Sequence, residues 1–207
     1  MIKNTKKEVI ILSSLILIFI AIVVLVTTNN SVLIGLDSYV NNWILNHQSV
    51  SFYNFMLSLT NLGEVYGTII ILIIFGSFLF LKNKQGSYIL ALAATSGVIL
   101  VEIIKYLVQR VRPYNLLETG FSFPSAHGMI STVFLLSSII LIAPLIKNLF
   151  MKNIFLIIVS IVFPLVAFSR IYLSVHWTSD VLAGIVLGSI SFIFAKMVYC
   201  HKKENVL

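Results

Sequence analysis

Three short segments of this chain carry side chains whose types and spacing suit acid–base and anion chemistry. Lys105 is followed after six residues by Arg112-Pro113. Next comes Phe123-Pro124-Ser125-Ala126-His127, and later Ser169-Arg170, five residues, His176, three residues and Asp180. Lys105, Arg112 and Arg170 supply fixed positive charges, and a guanidinium fork matches the oxygens of a phosphoryl group. Pro124 before an apolar run, with Ser125 and the backbone N–H groups that follow, adds helix-terminus donors for the same anion. Each of these residues alone has a plainer use, as a snorkelling cation, a headgroup contact or an N-cap.

His176 and Asp180 are four apart. If Asp180 starts a helix, its carboxylate reaches one imidazole nitrogen and leaves the other free as a nucleophile. His127, on a separate segment, is then placed to act as a general acid near neutral pH. Two histidines, one aspartate and three cations at converging helix ends are poorly explained as interfacial anchors.

The elements that must position these groups are membrane helices. The 207 residues are 59% apolar and only 10% charged, with a mean hydropathy of +1.05. That excludes a disordered chain, a coiled coil and a secreted disulfide scaffold, and the single Cys200 allows no intrachain disulfide. Six runs are long enough to span a bilayer, at roughly 9–26, 65–81, 87–104, 128–146, 154–168 and 181–199. They lack the period-2 alternation of a membrane barrel. The fifth is short and can extend into Leu149, Phe150 and Met151. The expected fold is therefore an all-α, polytopic six-helix bundle in one domain, 1–207. Residues 28–63 are expected as an outer interfacial helix or loop, with Tyr39, Trp43, Phe52, Tyr53 and Phe55 at headgroup level. The first run has a basic start but is too long for a signal-peptide core, and it reads as an uncleaved anchor.

With both termini inside, Lys3, Lys6, Lys7, Lys82, Lys84, Lys147, Lys152, Lys196, Lys202 and Lys203 face the cytoplasm, ten of the fourteen basic residues. Lys105, Arg110, Arg112 and Arg170, which include every Arg, then lie outside. A basic cluster against the topogenic bias points to a chemical use. The net charge of +7 flanks apolar runs, so the expected partners are a lipid bilayer and its anionic headgroups, with no nucleic acid. Oligomeric state is not legible.

The combination K-x6-RP, PSxH and SR-x5-H-x3-D resembles the three-part signature of the type 2 phosphatidic acid phosphatase superfamily. These are integral-membrane lipid phosphatases whose site is shared with vanadium haloperoxidases. The resemblance covers roughly residues 60–200. It implies that His176 forms a phosphohistidine, Asp180 orients it and His127 protonates the leaving lipid oxygen. It also implies that Lys105, Arg112, Ser125 and Arg170 bind the phosphoryl oxygens. One departure is Ala126, where the family usually has Gly; Ala costs little if the local φ is negative.

The function expected on this basis is metal-independent hydrolysis of a lipid phosphate at the outer face of a plasma membrane, without a cofactor. Substrates implied are phosphatidylglycerol phosphate, phosphatidate or undecaprenyl diphosphate. A non-catalytic lipid-phosphate carrier or flippase would use the same cations but has no need of His176 with Asp180. Haloperoxidase activity would need bound vanadate, and the six spans argue against it.

Other features are simpler. Glu102 can pair with Lys105 one turn away. Gly184 and Gly188 form a GxxxG that permits close helix packing, within the bundle by default. Pro144 and Pro164 are expected to bend or end spans four and five. His47 and His201 have no evident partners. The seven acidic residues are scattered, and no His or Cys pair has zinc spacing.

Overall fold

The computed structural model describes residues 5–114 and 118–204; Lys3, and the side chains of Cys200, His201, Lys202 and Lys203, lie outside the described residues. Every regular element among them is helical: α1 (Thr5–Thr27), α2 (Ser31–His47), α3 (Val50–Thr60), α4 (Val65–Lys82), α5 (Lys84–Val108), α6 (Ala126–Ser137), α7 (Leu149–Tyr172) and α8 (Thr178–Glu204). A π turn at Ser138–Ile142 and a 3-10 turn at Ala143–Leu145 prolong α6.

Six stretches are long and apolar enough to cross a membrane: Lys6–Thr27, Val65–Lys82, Lys84–Val108, Ala126–Leu145, Leu149–Tyr172 and Thr178–Tyr199. They match the six expected runs, most of them with longer ends, while the fourth stops one residue earlier, at Leu145. The fifth takes in Leu149, Phe150 and Met151 and continues past Pro164 to Tyr172, so that proline does not end it. Pro144 does close the fourth span, within its 3-10 turn.

Residues 28–63 form two helices. Asn30 caps α2 by accepting from Val32 N and Leu33 N, and Ser49 caps α3 by accepting from Phe52 N. Tyr39, Trp43, Phe52 and Phe55 are exposed and Tyr53 is half-buried. The pair docks on the end of α7: Gln48 Nε2 donates to Tyr172 O (2.5 Å), Ser49 N donates to Tyr172 Oη (3.2 Å), and Phe52 stands edge-on to the Tyr172 ring.

The core is built around α6, whose Met129, Val133 and Phe134 are fully enclosed by Ala93 and Val101 of α5, Phe163 of α7, and Leu187 and Phe192 of α8. In a bilayer apolar burial drives little helix association, and close backbone approach through small residues takes over. Gly184 and Gly188 do this: a Cβ at either would collide with a backbone carbonyl, Ser125 O or Met129 O respectively. The glycine pair thus fixes α6 against α8 inside one chain. On the outside of α8, α1 is held at one end by Glu8 and Lys196 (2.7 Å) and at the other by Val26 against Phe123 and Ala183. The two helices are therefore antiparallel. Lys6, Lys7, Lys82, Lys84, Lys147, Lys152 and Lys196 all fall toward the end of the bundle opposite the motif residues.

Candidate active site

At the motif end, four spans (α4 to α7), the end of α3 and the α3–α4 and α7–α8 turns surround an open cavity of about 520 Å³. Lys105 from the last turn of α5, Arg112 from the following segment, His127 from the first turn of α6, Arg170 from the last turn of α7, and His176 from the α7–α8 turn all line it. The backbone reverses at Ser174, whose φ of 54° is left-handed. The Arg170 carbonyl then accepts from both Val175 N and His176 N (3.2 Å each), which ties the turn to the end of α7.

His176 is buried, with Nδ1 3.5 Å from Asp180 Oδ2 and Nε2 3.1 Å from Arg112 Nη1. The first contact is at the long limit of a hydrogen bond. Burial pushes the His176 pKa down to about 4; Asp180 opposes this, while Arg112 and Arg170 add to it. The ring is neutral at physiological pH. An Arg cannot accept, so its N–H meets the Nε2 lone pair and leaves the ring proton on Nδ1, toward Asp180.

Asp180 sits in the first turn of α8 and is fully buried. Its Oδ2 accepts from Trp177 N (2.9 Å), and its Oδ1 takes a charged hydrogen bond from Arg110 Nη1 (2.6 Å).

The Arg112 guanidinium is fixed by donation to Val175 O (2.8 Å), Gly120 O (3.2 Å) and Phe121 O (3.3 Å). Burial lowers its pKa, with Asp180 and Glu64 opposing. Arg170 is almost wholly buried and donates from Nη1 to Thr60 Oγ1 (2.7 Å). Both guanidinia converge on Glu118, whose carboxylate lies 2.9 Å from Arg112 Nη1 and is paired with Arg170 Nη2. Lys105 Nζ pairs with Glu102 at 3.3 Å, the contact expected from their spacing.

His127 turns Nε2 toward Thr60 O (3.2 Å) and Glu64 Oε1 (3.4 Å). Two acceptors around one nitrogen require it to carry the proton. The hydrogen bond from His127 is the leading cause of a lowered Glu64 pKa; burial opposes it, and the charges of His127, Arg170 and Arg112 reinforce it. Gly63 lies against the His127 ring so closely that a Cβ there would overlap it.

Ser125 occupies the N-cap of α6. It is fully buried, caps α6 by accepting from Gly128 N (3.3 Å), donates its own N–H to Asp180 O (3.0 Å), and does not line the cavity. Ala126 is the first helical residue of α6 and has no positive φ, so a methyl group is tolerated where glycine is usual.

Four residues at or beside the site are not singled out by the sequence, Thr60, Glu64, Glu118 and Asp37, and Arg110 stands out there only as a member of the outer basic cluster. The available signal is scarcity, because an acid near a membrane end that faces a cationic cluster rarely stands alone. Among the described residues no group of three or more His, Cys, Asp or Glu could hold a metal ion.

Comparison with known proteins identifies relatives of this chain. Residues 86–204 match the PAP2 superfamily. The chain is 32% identical over 147 residues to phosphatidylglycerophosphatase B of Bacillus subtilis (strain 168), covering 68% of this chain and 72% of that one. It is 29% identical over 161 residues to an undecaprenyl-diphosphatase of Sulfolobus acidocaldarius, covering 72% and 73%. The fold superposes on the crystal structure of the transmembrane PAP2 type phosphatidylglycerolphosphate phosphatase from Bacillus subtilis with a TM-score of 0.78 and 28% identity, over 90% of this chain and 94% of that one. Aquifex aeolicus LpxE gives a TM-score of 0.59 and 26% identity, over 76% and 92%. With the six apolar helices and the motif cavity at their common end, these similarities identify the chain as a multi-pass membrane phosphatase that belongs to the PAP2 superfamily.

Proposed function

We propose that this protein hydrolyses a lipid phosphate through a phosphohistidine on His176, without a metal ion. The observation that carries the reading is the state of His176: a neutral ring, its Nε2 lone pair turned to the cationic wall and its Nδ1 turned to Asp180. A carrier that only holds a headgroup has no use for that arrangement.

In the first step His176 Nε2 attacks phosphorus, the N–P bond forms and the bond to the leaving oxygen breaks. Lys105, Arg112 and Arg170 hold the phosphoryl oxygens and offset the charge they carry in the transition state. His127 delivers its Nε2 proton to the leaving oxygen. Water then attacks phosphorus, its proton passes to His127, and the N–P bond breaks to release phosphate and free His176. Ser125 contributes by capping α6 and fixing the approach of His127, while Asp180 keeps His176 in the attacking tautomer.

Phosphatidylglycerol phosphate and undecaprenyl diphosphate are substrate classes supported by what the relatives are named for, and phosphatidate is the class that the motif resemblance implies. The positive-inside pattern supports an extracytoplasmic site in a plasma membrane with both termini in the cytoplasm. Phosphate release from each purified lipid, measured in parallel on the parent chain and His176→Ala, tests the reaction. Binding or movement of lipid phosphate with no release would favour the carrier instead. A cysteine placed at Glu118→Cys should react with an impermeant thiol reagent in intact cells and one at Lys84→Cys should not; the reverse pattern would move the site to the cytoplasmic side.

A further inference from the structure

We propose that Arg110, held by Asp37 of the interfacial helix α2, is a positioning residue for the nucleophile: it clamps the Asp180 carboxylate beside His176 and sets the rate of phosphoryl transfer rather than the binding of phosphate. This rests on the reading of His176 as nucleophile.

Arg110 follows the left-handed Gln109 (φ 53°) that ends α5, and its carbonyl accepts from Ser122 N (2.8 Å). The backbone is thereby pinned and the side chain turns away from the phosphate cavity, which it does not line. Its Nη1 donates to Asp180 Oδ1 and to Ser179 Oγ, both at 2.6 Å, and its Nη2 donates to Asp37 Oδ2 at 2.7 Å. Asp37 also accepts from Ser179 N (2.9 Å) and Ser179 Oγ (2.5 Å). The guanidinium carbon lies 5.6 Å from the Trp177 ring centroid. One guanidinium therefore joins α2 to the first turn of α8.

Two consequences follow from this geometry. First, both Asp180 oxygens are committed, Oδ1 to Arg110 and Oδ2 to Trp177 N, so the carboxylate cannot rotate away from His176 Nδ1. Second, Asp37 is one of only two buried residues in α2, the other being Ile44, on a helix whose remaining faces suit a headgroup layer. A buried carboxylate is costly unless paired, and this one is paired to the residue that grips Asp180. On its Asp180 side His176 therefore faces a linked set of charges: Asp180 of α8, Arg110 of the α5–α6 segment bound to it, and Asp37 of α2 bound to Arg110. Arg112 faces the ring from the α5–α6 segment and Arg170 acts on it from α7, while Lys105, Glu64, Glu118 and His127 line the same cavity.

The test uses the full chain in detergent or proteoliposomes, one lipid phosphate substrate throughout, and inorganic phosphate as a competitive probe that the cavity is intact. Arg110→Lys keeps the charge but not the fork: kcat should fall about tenfold to a hundredfold, as for other outer partners of a catalytic group, with KM and the acid limb of the pH profile unmoved. Arg110→Gln leaves Asp180 unopposed, so His176 holds a proton more strongly and the acid limb moves to higher pH. Asp37→Asn removes a negative charge from the same set and moves the limb to lower pH. Opposite shifts are the result expected, because a merely structural cluster has no reason to give them. Shifts of the same sign, no shift, an undiminished kcat, or loss of phosphate inhibition in all three variants would overturn the proposal. His176→Ala separates this failure from that of the parent reading: turnover in His176→Ala defeats the nucleophile assignment, whereas a dead His176→Ala beside parent-like Arg110 variants defeats only the clamp.

Discussion

The carboxylate of Glu118 is paired with the guanidinium of Arg170 inside the cavity where the motif cations gather. It also lies 2.9 Å from Arg112 Nη1, so the protein presents one of its own anions to the groups assigned to phosphate. Glu118→Gln keeps the shape and removes the competing charge. Inorganic phosphate should then inhibit at a concentration about threefold to tenfold lower, the scale of a partly exposed charged hydrogen bond. Unchanged or weaker inhibition would show that Glu118 does not compete for the cradle.

Gly188 sets the depth to which α6 seats on α8, since a Cβ there would strike Met129 O. Gly188→Ala should cost about 1–3 kcal/mol by overpacking and lower the thermal midpoint in detergent. Activity should fall with it, because Ser125 and His127 ride on the same end of α6. Gly76→Ala is the control: among the described residues nothing lies within 4 Å of the added methyl.

Gly63 makes a local version of the same argument. Its missing side chain leaves room for the His127 ring, and nothing in the bundle core depends on it. Gly63→Ala should lower kcat about tenfold or more by displacing His127, the proposed general acid, with the thermal midpoint close to that of the parent. The loss should be larger for a phosphomonoester than for a lipid diphosphate, whose leaving group needs less protonation.

The burial of His176 has a stability consequence with a definite sign. The unfolded ring takes up a proton near 6.5 and the folded ring only near 4, so between these values the unfolded chain binds more protons. The contribution is complete above pH 6.5 and is lost as the pH falls toward 4. Thermal midpoints measured across that window should drop more steeply for the parent than for His176→Gln; parallel curves would contradict the buried, neutral ring.

The spans, the three motif segments and their meeting at one end of the bundle were legible because each rests on local pattern: run length, fixed spacing, and helix ends that alternate sides. The pairing of Glu102 with Lys105 was legible for the same reason. Arg110 with Asp37, Arg170 with Glu118 and His127 with Glu64 were not, since each joins residues more than fifty apart and no spacing records them. Ser125 shows the converse limit. A serine before a helical run serves equally as anion ligand or N-cap, and spacing alone does not record that its oxygen accepts from Gly128 N. The aromatic content of 28–63 announced an interface but concealed that Asp37, in the middle of it, turns inward.

The central claim is a covalent phosphoryl group on His176, and trapping it is the most direct measurement. Protein mixed with phosphate-labelled lipid and quenched rapidly without acid should carry label that maps to the peptide containing His176. His176→Ala should show neither label nor turnover, while His127→Ala should accumulate label more slowly with an alcohol leaving group. Label retained in His176→Ala, or turnover in that variant, would contradict the account.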